Sequence, residues 1–145
     1  MITEDYVSFE TAKLLKEKGF DGPCHKVWGT HGDSQTLIRA PWFVEGETVV
    51  NRESVDAAAK QYAYEYSLNN NVEGYLAPTI QMVMKWLRDI HGLFIHIDVI
   101  REVSCWLADI QDIKGDVSIY PVKKLFPNYE EACENAIKYC LEILI

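Results

Sequence analysis

The sequence predicts an α+β fold. Its expected core is an antiparallel meander sheet, with a central helix at about residues 78–91 and N- and C-terminal helices packed mainly on one face. Three observations lead there. The stretch Ala77–Gly92 (APTIQMVMKWLRDIHG) has helical periodicity with an apolar arc about twice the ~100° of an ordinary surface helix. Strands arrive in runs instead of alternating singly with helices, which favours antiparallel pairing. Helical periodicity returns near both chain ends, each time behind a capping residue.

On a helical wheel of the central stretch, Ile80, Val83, Met84, Leu87 and Ile90 share one face, and Met82 and Trp86 widen it. Gln81, Lys85, Arg88 and Asp89 hold the remaining arc. Such a helix should touch a sheet beneath it and a helix beside it. Trp86 is expected to be largely buried, with Met82 next to it, against the first or last helix. Pro78 suits the first helical turn and Gly92 the left-handed residue after the last.

The other elements follow in order. Ser8 is a natural cap for a helix over Phe9–Lys18, with Glu10 in the first turn and Gly19-Phe20 as a Schellman-type stop. Thr11, Ala12, Leu14 and Leu15 make its narrow buried stripe. Cys24–Trp28 and Gln35–Ile38 read as a β-hairpin around a polar tip from Gly29 to Ser34, and Trp42–Val50 as a second, smaller hairpin. From Ser54 to Leu68 the period is helical, with Val55, Ala59, Tyr62 and Tyr66 on one face, and Asn69-Asn70-Asn71 stops it. A loop through Glu73-Gly74 leads to the central helix.

After Gly92, Leu93–Ile100 alternates with period two, and Val103–Ile110 continues as a second strand. Arg101-Glu102 is either a turn or a bulge. Lys114-Gly115 is a hairpin turn into Val117–Val122, an edge strand because it holds Pro121. Asn128 and Glu131 form a capping box for the last helix, whose core face is Ala132, Cys133, Ala136, Ile137, Cys140 and Leu144.

A chain of 145 residues, 48% hydrophobic and 25% charged, fits one domain, 1–145, of ordinary globular composition. No apolar run approaches the ~18 residues of a membrane span, and the acidic start lacks the basic region of a signal peptide. Cytoplasmic residence is the expectation, without a membrane partner. A net charge of −8, with 14 scattered Lys and Arg, argues against phosphate-backbone binding, so nucleic acid is not expected as a partner. The four cysteines show no C-x-x-C spacing. Cys133 and Cys140 lie about 10 Å apart along one helix, too far to bridge. Reduced core thiols are expected.

With the framework helices placed, Ile2–Glu10 with Ala12–Asp21, Ala77-Pro78-Thr79 with Gln81-Met82 and Met84–Arg88, and Tyr129–Ala132 with Lys138–Glu142 resemble a family of small uncharacterised proteins. These occur in gut Bacteroides-type bacteria and their phages or mobile elements. The resemblance covers well under half of the chain and leaves out Gly22 to Gly74. It implies a phage or mobile-element context and brings no activity, cofactor or catalytic residue with it.

The side chains themselves offer little chemistry. Cys24, His25, His31 and Asp33 could gather across the hairpin, but in no zinc-site spacing, so no metal is expected. His96 and Asp98 emerge on one strand face as a base and its orienting carboxylate might, with no nucleophile evidently presented to them. His91 suits the negative end of the helix dipole. There is no phosphate-cradling glycine loop, and neither catalytic residues nor a cofactor is assigned. Trp28, Trp42, Trp106 and the group Tyr62, Tyr64, Tyr66 and Tyr75 exceed what one small core needs to hide, and such rings favour protein contact. Tyr64 and Leu68, one turn apart on the outer side of the Ser54–Leu68 helix, are the candidate anchors for a protein partner or homo-oligomer. The leading expectation is therefore a non-catalytic interaction module. The alternative is a small enzyme or ligand-binding protein with its pocket between the sheet and segment 41–71.

Overall fold

The computed structural model describes residues 5–20, 22, 24, 26–31, 34–39, 73–114, 118–121 and 123–145, with the backbone alone at 29–31, 34–39 and 73. The expected hairpin Trp42–Val50 and helix Ser54–Leu68 lie outside these residues. The class is α+β, as the periodicities predict, but the strands form two three-stranded antiparallel sheets in place of one meander. The chain divides into two compact units, Tyr6–Thr79 and Ile80–Ile145, the latter taking in Asp5.

In the first unit, helix α1 (Phe9–Glu17) begins where Ser8 Oγ accepts the Thr11 N–H at 3.2 Å. It ends at Gly19, whose φ of +82° is left-handed. Phe20 N–H donates to Leu15 O at 3.0 Å and Gly19 N–H to Lys16 O at 3.2 Å, the two bonds of a Schellman stop. Thr11, Ala12 and Leu15 are buried and Leu14 half-buried, close to the expected stripe.

Strand β1 (Lys26–His31) pairs with β2 (Ser34–Arg39), from Lys26 opposite Arg39 to His31 opposite Ser34. Pairing thus runs through Gly29, Thr30, His31 and Ser34, positions the sequence assigns to the tip. The other side of β1 takes β3 (Glu73–Leu76), where the sequence suggests a loop. Four residues with one glycine give too little periodicity to read as a strand; only the free edge of β1 selects it. The chain stays extended beyond β3. Ala77 N–H donates to Lys26 O, Val7 N–H donates to Pro78 O, and Thr79 bridges Tyr6. Pro78 therefore precedes the central helix instead of opening it.

In the second unit, helix α2 (Ile80–His91) starts with the Ile80 N–H donating to Asp5 O at 3.0 Å. Ile80, Val83 and Leu87 are buried, and Met82, Met84 and Trp86 half-buried. Trp86 is only partly exposed, and its ring meets His91 edge-on at 4.6 Å. Ile90, assigned to the core face, is 66% exposed. It lies in the final turn, where the chain leaves the helix through Gly92 at φ +66° and turns away into the sheet.

Strand β4 (Leu93–Ile100) pairs with β5 (Cys105–Asp112) along its whole length. The connection is a four-residue turn, Arg101–Ser104, which answers the turn-or-bulge question and starts β5 two residues later than expected. Ser104 carries the positive φ, 52°, that closes it. Of the expected strand Val117–Val122, residues 117 and 122 lie outside the described set; among the described residues, Ser118 forms a single bridge with Gln111. The third strand is β6 (Leu125–Phe126), opposite Leu107 and Trp106. Pro121 withholds a ladder N–H near the end of the expected strand.

Helix α3 (Tyr129–Tyr139) is capped by Asn128, whose Oδ1 accepts the Glu131 N–H at 2.8 Å. It passes into a π-turn, Cys140–Leu144. Ala132, Cys133, Ala136, Ile137 and Cys140 are buried as expected, but the last core position is Leu141 in place of half-buried Leu144. Both α2 and α3 pack on the sheet, α3 across β4 and β5. No described helix is long and apolar enough to cross a membrane.

Candidate contact surface

Antiparallel register sorts the side chains of β4 and β5 onto two faces. Leu93, Ile95, Ala108, Ile110 and Phe126 lie on one face and are buried, so this is the face the helices cover. The other face is open. Across it run Phe94, His96, Asp98 and Ile100 on β4, Gln111, Asp109, Leu107 and Cys105 on β5, and Leu125 on β6.

The middle of this open face is polar. His96 Nε2 lies 3.0 Å from Asp98 Oδ1, and the two side chains are 50% and 60% exposed. Phe94 stacks on the His96 ring at 6.3 Å between centroids. Asp109, opposite His96, accepts hydrogen bonds from Ser118 Oγ and from its neighbour Ile110 N–H. The turn end is apolar: Leu125 is exposed, Ile100, Leu107 and Cys105 are half-buried, and exposed Val103 stands in the adjoining turn. Exposed apolar groups gathered at one end of a sheet differ from the scattered ones any surface carries.

At the opposite end of the hairpin, Arg88, His91, Gly92, Asp112 and Lys114 line an open groove of about 410 Å³. His91 ends α2, where the dipole favours a cation, but its Nε2 is buried with no hydrogen-bond partner among the described residues. On the exposed side of α2, Lys85 Nζ sits 2.6 Å from Asp89 and, with Arg88, holds that carboxyl below its usual range.

The remaining residues singled out by sequence are dispersed. Tyr64, Leu68, Trp42, Tyr62 and Tyr66 lie outside the described residues, as do His25 and Asp33. His31 is a strand position paired with Ser34, and Cys24 is buried with its thiol toward Gly22 O. Tyr75, one of the rings expected to exceed what the core hides, belongs to the core with the Phe9 ring edge-on to it at 5.4 Å. Trp106 is half-buried against Tyr129. None of the four cysteines is in a disulfide; Cys133 and Cys140 are core thiols, while Cys105 is only half-buried. Among the described residues no three His, Cys, Asp or Glu side chains are grouped to hold a metal ion. The His96–Asp98 pair is readable from its alternation. The apolar end is not, because Leu125 reaches this face only through the pairing of β6 with β5.

Neither a protein-family model, nor a curated protein, nor a solved structure matches the chain.

Proposed function

We propose that this protein is a non-catalytic interaction module, an accessory protein of a phage or mobile element. The observation that carries the interaction reading is the open face of the β4–β5–β6 sheet, where Phe94 and Leu125 flank the solvent-facing His96–Asp98 pair. Aromatic and aliphatic anchors around a polar centre supply both buried area and orientation on contact. The mobile-element context rests on the resemblance of the three framework helices.

The alternative is a small enzyme or ligand-binding protein with its pocket between the sheet and segment 41–71, which lies outside the described residues, and with His96 as a base oriented by Asp98. The spacing suits it, but general-base work gains from a site that excludes water. Both side chains stand half or more exposed on an open face. Affinity capture from the native host, repeated with Phe94→Lys/Leu125→Lys, tests the interaction reading. A partner retained by the parent and lost by the variant supports it; capture unaffected by the substitutions refutes this surface.

A further inference from the structure

The partner of this surface can be read from the free edge of β4. Among the described residues only β5 pairs with β4, so one side of an eight-residue strand is an open ladder. The phase of that ladder is set by two bonds. Ile113 N–H donates to Gly92 O, and Ile110 O accepts from Ile119 N–H on the far side of β5. Alternation along an antiparallel pair then directs the backbone groups of Phe94, His96, Asp98 and Ile100 at β5. Those of Leu93, Ile95, Ile97 and Val99 point outward, with no ladder partner among the described residues.

The sequence of this edge is self-complementary about Ile97. Laid antiparallel against a second β4 on a two-fold axis through Ile97, His96 faces Asp98 of the second copy, and Asp98 faces its His96. Ile95 then faces Val99 and Phe94 faces Ile100, while Ile97 meets itself. The outward-pointing residues fall opposite one another, as hydrogen-bonded pairs require. Moving the axis to Asp98 would oppose two carboxylates, and moving it to His96 would set Asp98 against Phe94. A one-residue slip would turn the apolar side chains to the wrong face. Val99, 42% exposed in one chain, is covered in this arrangement by Ile95 of its mate.

We infer that the protein self-associates through β4, joining two three-stranded sheets into one six-stranded sheet across a two-fold axis. This deepens the interaction reading by naming a second copy as the partner at the β4 edge of that sheet. The two-fold repeats every contact, so both His–Asp pairs and the outward backbone groups form at once.

Sedimentation velocity over a concentration series tests it. The parent should sediment at twice the 16.7 kDa chain mass as concentration rises. Asp98→Lys sets a lysine against the opposing histidine twice over and should weaken association about tenfold. Adding His96→Asp to Asp98→Lys restores opposite charges and should recover dimerisation. Both positions are exposed, so the monomer's melting temperature serves as a control that folding is retained. Amide exchange gives a second readout: Ile95, Ile97 and Val99 should be protected in the dimer and exchange on dilution. A parent that stays monomeric, or amides indifferent to concentration, overturns self-pairing. Heterologous capture lost in Phe94→Lys/Leu125→Lys would then leave the broader interaction reading standing.

Discussion

Trp28 donates its indole N–H to the carbonyl of Val7 at 2.9 Å, across 21 residues of sequence. Val7 is fully buried and its own N–H donates to Pro78 O, so one residue is held from both sides by distant segments. The Phe9 ring stands edge-on to Trp28 at 6.2 Å, packing the same corner. Replacing Trp28 with Phe keeps an aromatic ring but removes the donor, leaving the Val7 carbonyl unpaired. Urea unfolding should show a loss of about 1–3 kcal/mol. An unchanged midpoint would mean that water replaces the bond at no cost.

Gly92 and Ser104 both have left-handed backbones, and they predict opposite responses. A Cβ at Gly92 meets nothing within 4 Å, so Gly92→Ala tests backbone strain alone. It should destabilise by about 1–2 kcal/mol. Ser104 already carries a side chain at φ 52°, and Ser104→Gly relieves that strain against a greater loss of chain entropy. The net should be a small rise in melting temperature. Thermal melts of both variants beside the parent decide the signs.

Asn128 Oδ1 accepts the N–H of Glu131 in the first turn of α3. Asn128→Ala should cost about 1 kcal/mol, and Asn128→Asp should retain nearly all of the stability because it keeps the acceptor. Chemical denaturation of the pair separates capping from any general sensitivity of this turn.

Alkaline pH should unfold the protein through its core thiols. Burial pushes the Cys133 thiol up to about 11 and that of Cys140 up to about 12. In the unfolded chain both ionise near their ordinary value of 9.0. Above that pH the unfolded state releases protons the folded state keeps, so stability falls as pH rises. The stability present below pH 9 should decline through pH 11 to 12, and Cys140→Ala should flatten the upper part of the slope. A denaturation midpoint constant from pH 8 to 11 would contradict this.

The sequence by itself determined the elements whose signals are local. Ser8, Gly19-Phe20 and Asn128 act within one or two turns of their own position, and each behaves as its residue type demands. The alternation of β4 and the left-handed Gly92 belong with them. So does the juxtaposition of His96 and Asp98, since two residues apart on a strand always share a face.

Only the tertiary structure decided which strands pair and how far each apolar face is covered. Glu73–Leu76 becomes a strand because β1 offers it an edge, and Leu125–Phe126 does so for the equivalent reason on β5. Ile90 carries the periodicity of a core face, yet periodicity states only which side of a helix is apolar. How much of that side is covered depends on where the sheet and the neighbouring helix end, and the final turn of α2 leaves Ile90 in water. The open face shares that origin: alternation names its residues, but sheet order alone leaves β4 at an edge. Pairing and coverage are long-range, so their free energy comes from residues far along the chain and leaves no mark on a local window of sequence.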